Sequence, residues 1–253
     1  MIAILSPAKK LDMDSAINYP ESTKPAFLKD AEELMTVLKE MSSPDLSKLM
    51  HISENLGDLN YERNQTWKKS HTEKNARPAI FSFKGDAYLG FGVEDFTAEE
   101  LLKAQDKIRI LSGLYGLLRP LDLMKAYRLE MGSRMKNPRG KNLYDFWGSQ
   151  ITKALNKEIA KNGGVLVNVA SNEYFKAVKP KEIKGRIINC QFKENKNGQY
   201  KAIMTFAKKA RGMMCRYIVK NKIENPEDLK GFNLGGYVYH ESLSTENDWV
   251  FTR

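Results

Sequence analysis

The sequence is poor in the residues that most often hold metal ions or form disulfides. It contains two cysteines and three histidines among 253 residues. Cys190 and Cys215 lack the CxxC spacing of a zinc site, and the histidines stand apart from cysteines and from paired acids. We therefore predict no metal site and no disulfide framework, and the scarcity of cysteine fits a reducing cytoplasm.

Long apolar runs and the common cofactor motifs are also missing. Nowhere do about 18 consecutive apolar residues occur, as a membrane span requires, and the apolar stretch at residues 2–5 is far shorter than the core of a signal peptide. The sequence has no GxxxxGKS/T, HExxH or GxSxG motif, and no GxGxxG follows a clear strand. We predict a soluble, cytoplasmic protein with no cofactor, no membrane partner and no obligate protein partner.

No polar or Gly/Ser-rich linker divides the chain, and no internal repeat, heptad pattern or low-complexity tract occurs. With 42% hydrophobic residues, a chain of this length can bury a full core. Residues 1–253 are therefore predicted to form a single large domain of the α/β class (mixed α and β), with a central mixed sheet flanked by helices.

Hydrophobic periodicity predicts the main elements of that domain. Apolar runs indicate strands at 2–5, 79–83, 165–170 and 186–193, and the last pairs with 199–206 across Asn197-Gly198 in a hairpin. Amphipathic periodicity indicates helices at 26–41, 44–56, 144–161 and from 207 onward. Thr97 and Glu100 form a capping box that opens a helix through about Lys107, and 108–111 either continues this helix or forms a strand.

Positive charge is concentrated in one block of the chain. Residues 101–220 carry 26 Lys and Arg against 8 Asp and Glu, whereas residues 1–100 carry 12 against 17. A surface that only keeps the protein soluble would account for the net charge of +10, but not for its concentration in one block. The block therefore predicts an anionic partner, and nucleic acid is the partner we expect.

A helix at the end of this block divides into a charged and an apolar half on a wheel of 100° per residue. The charged half contains Lys208, Lys209, Arg211, Gly212, Arg216 and Lys220. Glycine inside a helix costs about 1 kcal/mol relative to alanine. We interpret Gly212 as a point where a phosphate approaches the backbone, and the alternative is a solvated basic face with an incidental glycine.

A glycine-punctuated run, LSGLYGLLRP, occupies residues 111–120. Two glycines permit a tight turn whose N–H groups point outward together and bind a phosphate. The spacing resembles the hairpin of helix-hairpin-helix DNA-binding modules, although two residues separate the glycines and Pro120 disturbs the start of a second helix. Alternatively, the glycines end one element and begin another. The candidate DNA contacts in the run are Ser112, Gly113, Tyr115, Gly116 and Arg119.

Seven separated segments resemble the YaaA family. They are SPAK at 6–9, FKGD at 83–86, LSGLYGLLRPLDLM at 111–124, YRLEMG at 127–132, LYDFWG at 143–148, NVASNEYFK at 168–176 and KKARGMM at 208–214. The resemblance spans essentially the whole chain. It implies a role in the bacterial response to peroxide stress and in limiting damage from intracellular iron, and hence protection of DNA. It also implies binding of duplex and branched DNA, through a positively charged cleft and a helix-hairpin-helix element, on a single-domain α/β fold of the family's own.

Carried onto this chain, the resemblance puts the hairpin at about Ser112 to Arg119. Tyr174 and Phe175 are candidates for stacking on unpaired bases, and Lys179 lies close to them in sequence. We predict a DNA-binding protein of the oxidative stress response that engages the phosphates of duplex, bubbled or branched DNA with little base readout. The cleft would draw on Lys9, Lys84, Arg128, Lys176, Lys208 and Arg211.

An enzyme is the alternative hypothesis. Four side chains flank predicted strand ends or glycine turns, where α/β proteins tend to place their working groups. They would line a pocket for a small phosphorylated or nucleotide-like substrate, although no reaction is assigned and an ion-pair network is the competing interpretation. The four are Lys9, Asp86, Arg128 and Glu130. A protein that binds iron through carboxylates is the third and least favoured hypothesis.

Overall fold

The apolar run Ile2–Leu5 forms the central strand of the main sheet, and all four residues are buried. The computed structural model describes every residue from Met1 to Arg253. A strand that is apolar on both faces is typical of a parallel sheet covered by helices. This strand is accordingly paired in parallel on both sides.

Twelve strands and ten α-helices make up the fold. The strands are β1 (Ile2–Leu5), β2 (Lys10–Leu11), β3 (Arg77–Pro78), β4 (Phe83–Lys84), β5 (Ile108–Ser112), β6 (Gly116–Leu118), β7 (Leu123–Met124), β8 (Val165–Asn168), β9 (Arg186–Lys196), β10 (Gln199–Lys201), β11 (Val238–Tyr239) and β12 (Asp248–Thr252). The helices are α1 (Leu28–Glu40), α2 (Ser43–Met50), α3 (Glu54–Thr66), α4 (Ala79–Ser82), α5 (Asp86–Phe91), α6 (Ala98–Lys107), α7 (Leu143–Trp147), α8 (Gln150–Lys161), α9 (Asn172–Lys176) and α10 (Met204–Lys220). No helix is both long and apolar enough to cross a membrane.

The main sheet has the order β11-β12-β9-β8-β1-β5-β6, and β10 pairs with the far end of β9. Five neighbouring strands, from β12 to β5, are parallel, and β11 and β6 join the two sides antiparallel. Counted along the chain, the parallel strands have the order 2-1-3-4-5, which is one of the doubly wound orders. In such sheets ligands bind at the carboxyl ends of the strands where the order reverses, which here is between β1 and β8.

The predicted mixed α/β fold, with a central sheet flanked by helices, is confirmed. One core of 62 buried hydrophobic residues extends along the chain from Met1 to Phe251. The capping box of α6 is present, since Thr97 Oγ1 accepts from the Glu100 amide and Glu100 Oε2 accepts from the Thr97 amide. The hairpin of β9 and β10 also turns at Asn197 and Gly198, both of which have positive φ.

Four predicted elements differ from the structure. The strand predicted at 199–206 ends at Lys201, and the helix predicted from 207 already begins at Met204. Residues 44–56 are split between α2 and α3, because His51 adopts a left-handed conformation with φ of 51°. Residues 144–161 are split between α7 and α8 at Gly148, which has φ of 47°. The strand predicted at 79–83 is wrong, because Ala79–Ser82 forms the single turn of α4. Short apolar runs fit either conformation, and Ser82 Oγ here bonds the Pro78 carbonyl oxygen at 3.0 Å.

The glycine-punctuated run forms a β-hairpin, so the predicted helix-hairpin-helix element at Ser112 to Arg119 is wrong. Its two arms are β5 and β6, which pair antiparallel inside the sheet. Both glycines permit close packing instead: a Cβ on Gly113 would lie 2.1 Å from the Leu129 carbonyl oxygen, and one on Gly116 would lie 2.7 Å from the Trp147 ring. The two helices that do pack as a hairpin are α2 and α3, which are joined through residues 51–53.

The interpretation of Gly212 as a phosphate contact is also wrong. Gly212 is buried in α10 and faces α5, whose backbone fills the space that a phosphate would need. A Cβ on Gly212 would lie 1.7 Å from the carbonyl oxygen of Ala87, and one on Gly90 of α5 would lie 2.0 Å from that of Lys209. The glycine in the charged half of the helix therefore serves the packing of two helices.

Candidate nucleic-acid interface

The parallel strands bring several lysine-containing segments to one edge of the sheet. β1, β8 and β9 run in the same direction, so residues 6–9, 169–176 and 193–196 all lie at the carboxyl ends of these strands. α10 begins at this edge as well. Arg253, which follows β12, lies 2.8 Å from the Glu194 carboxylate of β9 and 4.8 Å from the centre of the Phe206 ring in the first turn of α10. We call this side of the sheet the carboxyl edge.

The loops after β1 and β8 touch at the point where the strand order reverses. The Ser171 amide donates to Ser6 Oγ at 2.9 Å, and the two hydroxyl oxygens are 3.3 Å apart. The Tyr88 hydroxyl donates to the Ser6 carbonyl oxygen at 3.1 Å. Burial raises the pKa of Tyr88, so its hydroxyl keeps the proton that this bond uses. These contacts fix the start of the SPAK segment.

Lys9, Arg128 and Glu130 form an ion-pair triad beside that contact. The Glu130 carboxylate lies 2.8 Å from Lys9 Nζ and 3.3 Å from Arg128 Nη2. Lys9 is exposed, whereas the Arg128 side chain is largely buried and its Nε has no hydrogen-bond partner. Two cations share one carboxylate, so the triad keeps a net positive charge. Asp86, the fourth residue of the enzyme hypothesis, begins α5 and makes no bond to the triad.

Lys84 and the candidate residues of α9 differ in their charge partners and in their exposure. Lys84 Nζ is 3.2 Å from the Asp12 carboxylate, so part of its charge is balanced. Lys176 is exposed, and its ammonium lies 4.7 Å from the centre of the Tyr144 ring. Tyr174 is buried and Phe175 packs against the core, so the prediction that Tyr174 stacks on unpaired bases is wrong.

An open pocket of about 630 Å³ lies beside α9, and four of its eight lining residues are cations. Arg139 is held by Asp30 and Glu33, and Lys179 lies 3.5 Å from Glu182, so both have carboxylate partners. Lys141 and Lys176 have none. Such a concave basic surface suits an anion such as a phosphate. The charged lining residues are Arg139, Lys141, Asp145, Lys176 and Lys179.

The cations of α10 differ between its two halves. In the second half, Arg216 pairs with Asp95 and donates to the Gly92 carbonyl oxygen at 2.8 Å, while Lys220 lies 2.8 Å from the Glu100 carboxylate. The hydrogen bonds from Arg216 lower the pKa of Asp95 to about 2. Arg216 and Lys220 therefore tie α10 to its neighbours, and their charges are neutralised.

The first half of α10 and the hairpin before it hold cations that have no carboxylate partner. Arg211 forms no ion pair, and burial lowers its pKa, as expected for a partly desolvated cation. Lys208 and Lys209 are exposed at the start of the helix, beside the exposed apolar side chains of its first turn. We name the set of six the hairpin–helix cluster: Lys193, Lys196, Lys201, Lys208, Lys209 and Arg211.

Arg119 is held in place by hydrogen bonds to a buried acidic residue. Its guanidinium lies 3.1 Å from the buried Asp122 carboxylate, which also accepts from the Arg119 amide at 2.8 Å and from Thr23 Oγ1 at 2.6 Å. Ser112 and Tyr115 are fully buried, and Gly113 and Gly116 are buried with them. The prediction of DNA contacts at these four residues is wrong, because no ligand can reach them.

Four cations of the candidate interface were not predicted from motifs, although all lie within the basic block. Lys193, Lys196 and Lys201 belong to the hairpin, for which the sequence motif predicts only the turn. Lys141 precedes α7. For the three hairpin lysines, the available signal was the excess of lysine over acidic residues between 176 and 211, which only the sheet topology converts into a surface.

A family model described as peroxide stress protein YaaA matches residues 1–243. The chain belongs to the YaaA family. Curated relatives match along the whole chain: a UPF0246 protein from Saccharophagus degradans is 54% identical and one from Teredinibacter turnerae 53%, each over 100% of this chain and 99% of the relative. A third, from Aliivibrio fischeri, is 49% identical over 100% of this chain and 98% of its own length. The resemblance to the YaaA family is thus confirmed, and the family is one of peroxide stress proteins.

Proposed function

We propose that the protein acts in the peroxide stress response by binding DNA, chiefly through phosphate contacts along the carboxyl edge. The observation that carries this proposal is the hairpin–helix cluster, in which six cations on consecutive elements have no carboxylate partner. Like charges on neighbouring elements repel one another in a folded protein, and a polyanion relieves that repulsion while releasing its own counter-ions. The cations in the second half of α10 provide a comparison within the same protein, since they are paired with acidic residues and are not expected to contact DNA.

The proposed contacts extend from the cluster to the other cations of the edge. Lysine acts on a phosphate as a point charge, whereas bidentate base recognition is typical of arginine. The exposed cations of the edge are mostly lysines, so we expect little sequence preference and a dependence on DNA shape instead. Besides the cluster, the contacts would include Lys9, Lys84, Arg128, Lys141, Lys176 and Lys179.

Protection of DNA from iron and peroxide would follow from the same contacts. Cations condense on the phosphates of DNA, and a protein that neutralises those phosphates displaces them. Ferrous iron held at the backbone would be displaced in the same way, so less of it would meet peroxide beside the DNA. This effect needs neither a metal site nor a catalytic residue on the protein.

The test is a salt titration of binding to matched duplex, bubbled and four-way-junction DNA, in which binding is measured by fluorescence anisotropy. The double charge reversal Lys208→Glu with Lys209→Glu should weaken binding to all three and reduce the slope of log K against log salt by about 2, since each phosphate contact contributes about 0.9. The control reverses two exposed, unpaired lysines of α8, Lys157 and Lys161, with the same change in net charge. An equal loss in both double variants, or no binding at low salt, would refute the proposal.

A small anionic ligand in the crevice between β1 and β8 is the second candidate. The observation that favours it is the triad of Lys9, Glu130 and Arg128 at the reversal point, with Arg128 Nε buried and unpartnered. An enzyme acting on a phosphorylated or nucleotide-like substrate would bind its anion there. Calorimetric titration with inorganic phosphate and AMP, using Arg128→Gln as the control, tests this candidate; heats that are the same for both proteins would rule it out.

A further inference from the structure

The first turn of α10 exposes apolar side chains in the middle of a cationic surface. Ile203, Met204 and Phe206 are 39%, 71% and 43% exposed, and Met204 is the most exposed large hydrophobic residue of the protein. Single exposed apolar residues are ordinary on protein surfaces. Here three occur within four positions, between Lys201 and Lys208, and Met204 and Phe206 point to different sides of the helix because they are two positions apart.

Met204 shares one face of α10 with two members of the hairpin–helix cluster. Residues four and seven positions apart lie on the same side of a helix, so Lys208 and Arg211 follow Met204 along one line. Neither cation forms an ion pair, and Lys201 precedes the helix without one. A ligand that covers Met204 would therefore also meet three free positive charges, and this complementarity points to a polyanion.

The support beneath Met204 is anchored by other residues. The Arg253 guanidinium lies over the Phe206 ring, bonds the Glu194 carboxylate at 2.8 Å and donates to the Gly235 carbonyl oxygen at 2.8 Å. Ala207 in the next turn is buried against the core. Met204 itself takes no part in these contacts, so its side chain projects from a helix start that other residues hold in place.

We propose that Met204 is a wedge that enters the base stack of DNA where bases are unpaired or unstacked. Proteins that bind distorted DNA insert methionine, leucine, isoleucine or phenylalanine between base steps, and the insertion is easiest where stacking is already lost. Methionine suits a sequence-independent wedge because its side chain is unbranched and polarizable. The wedge makes the protein prefer bubbled or branched DNA without any base-specific hydrogen bond. This inference rests on the DNA binding proposed above.

An anionic lipid surface is the other partner that attracts lysines and apolar side chains together. A helix that lies on a membrane buries a continuous apolar face in it. In α10 the apolar residues beyond the first turn, such as Ala210 and Met214, are buried inside the protein and are not available to a membrane. The structure therefore favours a short wedge into DNA over an interfacial helix.

The experiment compares Met204→Ser with Leu89→Ser, which alters another large apolar side chain, 60% exposed, on α5. Affinities for a duplex and for the same duplex with a central bubble are measured by anisotropy, and 2-aminopurine in the bubble reports insertion by its fluorescence. Met204→Ser should reduce the preference for the bubble about fivefold, at the lower end of what base stacking contributes, and abolish the 2-aminopurine change. The salt slope and the affinity for intact duplex should stay the same, and Leu89→Ser should match the wild type.

Several results would overturn the wedge. They are a wild-type protein that shows no bubble preference, a Met204→Ser variant that keeps it, and a variant that loses duplex and bubble affinity equally. If Met204→Ser instead lost binding to phosphatidylserine vesicles while its DNA preference stayed unchanged, the first turn would be a lipid contact. Failure of the wild type to bind any DNA would refute the proposed function as well, whereas DNA binding that depends on Lys208 and Lys209 but not on Met204 would refute the wedge alone.

Discussion

Gly212 in α10 lies so close to Ala87 in α5 that a Cβ on the glycine would be 1.7 Å from the alanine carbonyl oxygen. A backbone atom cannot move aside as a flexible side chain can, so the two helices would have to separate. We expect Gly212→Ala to lower the free energy of unfolding by about 2 kcal/mol, the usual range for overpacking. At an open helical site the same change would stabilise by about 1 kcal/mol. Urea unfolding followed by circular dichroism gives the sign, and a stabilised variant would contradict the close approach.

The two halves of α10 should respond oppositely to loss of charge. Arg216→Ala removes the ion pair with Asp95 and the bond to the Gly92 carbonyl oxygen, so the free energy of unfolding should fall by about 1–2 kcal/mol. The slope of log K against log salt for DNA binding should be the same in Arg216→Ala as in the wild type. Lys208→Ala removes no bond of the folded protein, so stability should hold while the slope falls by about 0.9. Paired urea and salt titrations measure both quantities. Loss of a phosphate contact in Arg216→Ala without loss of stability would contradict this division.

His71 should make the protein less stable as the pH falls from about 6.5 to 4. The Tyr115 hydroxyl accepts from the Trp67 indole at 3.2 Å and the Lys125 amide at 3.1 Å, so its own proton points to His71 Nε2 at 2.9 Å. That nitrogen must then be unprotonated. Burial lowers the pKa of His71 to about 4. As the pH falls, the unfolded chain is therefore protonated at His71 near pH 6.5, whereas the folded protein is protonated there only near pH 4.

Stability should therefore rise with pH across this window, with a slope of at most about 1.4 kcal/mol per pH unit for one proton. Urea unfolding at several pH values measures the slope. His71→Gln removes the titrating group, so its slope between pH 4 and 6.5 should be smaller than that of the wild type. An unchanged slope in the variant would assign the pH dependence to other groups.

The basic pocket should contribute to DNA binding unequally among its lysines. Lys141 and Lys176 have no carboxylate partner, so Lys141→Ala and Lys176→Ala should each reduce the salt slope by about 0.9. Lys179 already bonds Ser149 Oγ at 3.1 Å and lies 3.5 Å from Glu182, so Lys179→Ala should reduce the slope by less. The same titrations as above measure all three. Equal slopes for Lys179→Ala and Lys141→Ala would show that these partners do not restrain Lys179 in solution.

The regular parts of the fold were predictable because they depend on local patterns. The run Ile2–Leu5, the capping box of Thr97 and the turn at Asn197 each carry their signal within a few residues. The breaks at His51 and Gly148 were not, since both flanking helices keep apolar residues in helical register.

The candidate site was harder to predict, because its residues depend on partners that are remote in sequence. Gly113 and Gly212 have the local features of phosphate-binding glycines, yet Leu129 and Ala87 occupy the space beside them. Arg216 and Lys208 both fall in the charged half of the helical wheel. Only the position of Asp95, more than a hundred residues away, separates an anchored cation from a free one.

The parallel sheet also sets when the basic surface comes into existence. β1 is synthesised first, but its pairing of Ile2 with Leu166 waits for β8, and the pairing of Cys190 with Trp249 waits for the last strand. Pairings between such distant segments form late in folding. A chain still emerging from the ribosome therefore carries its lysines without the edge that aligns them, and the proposed DNA-binding surface forms only once the last strand has been translated.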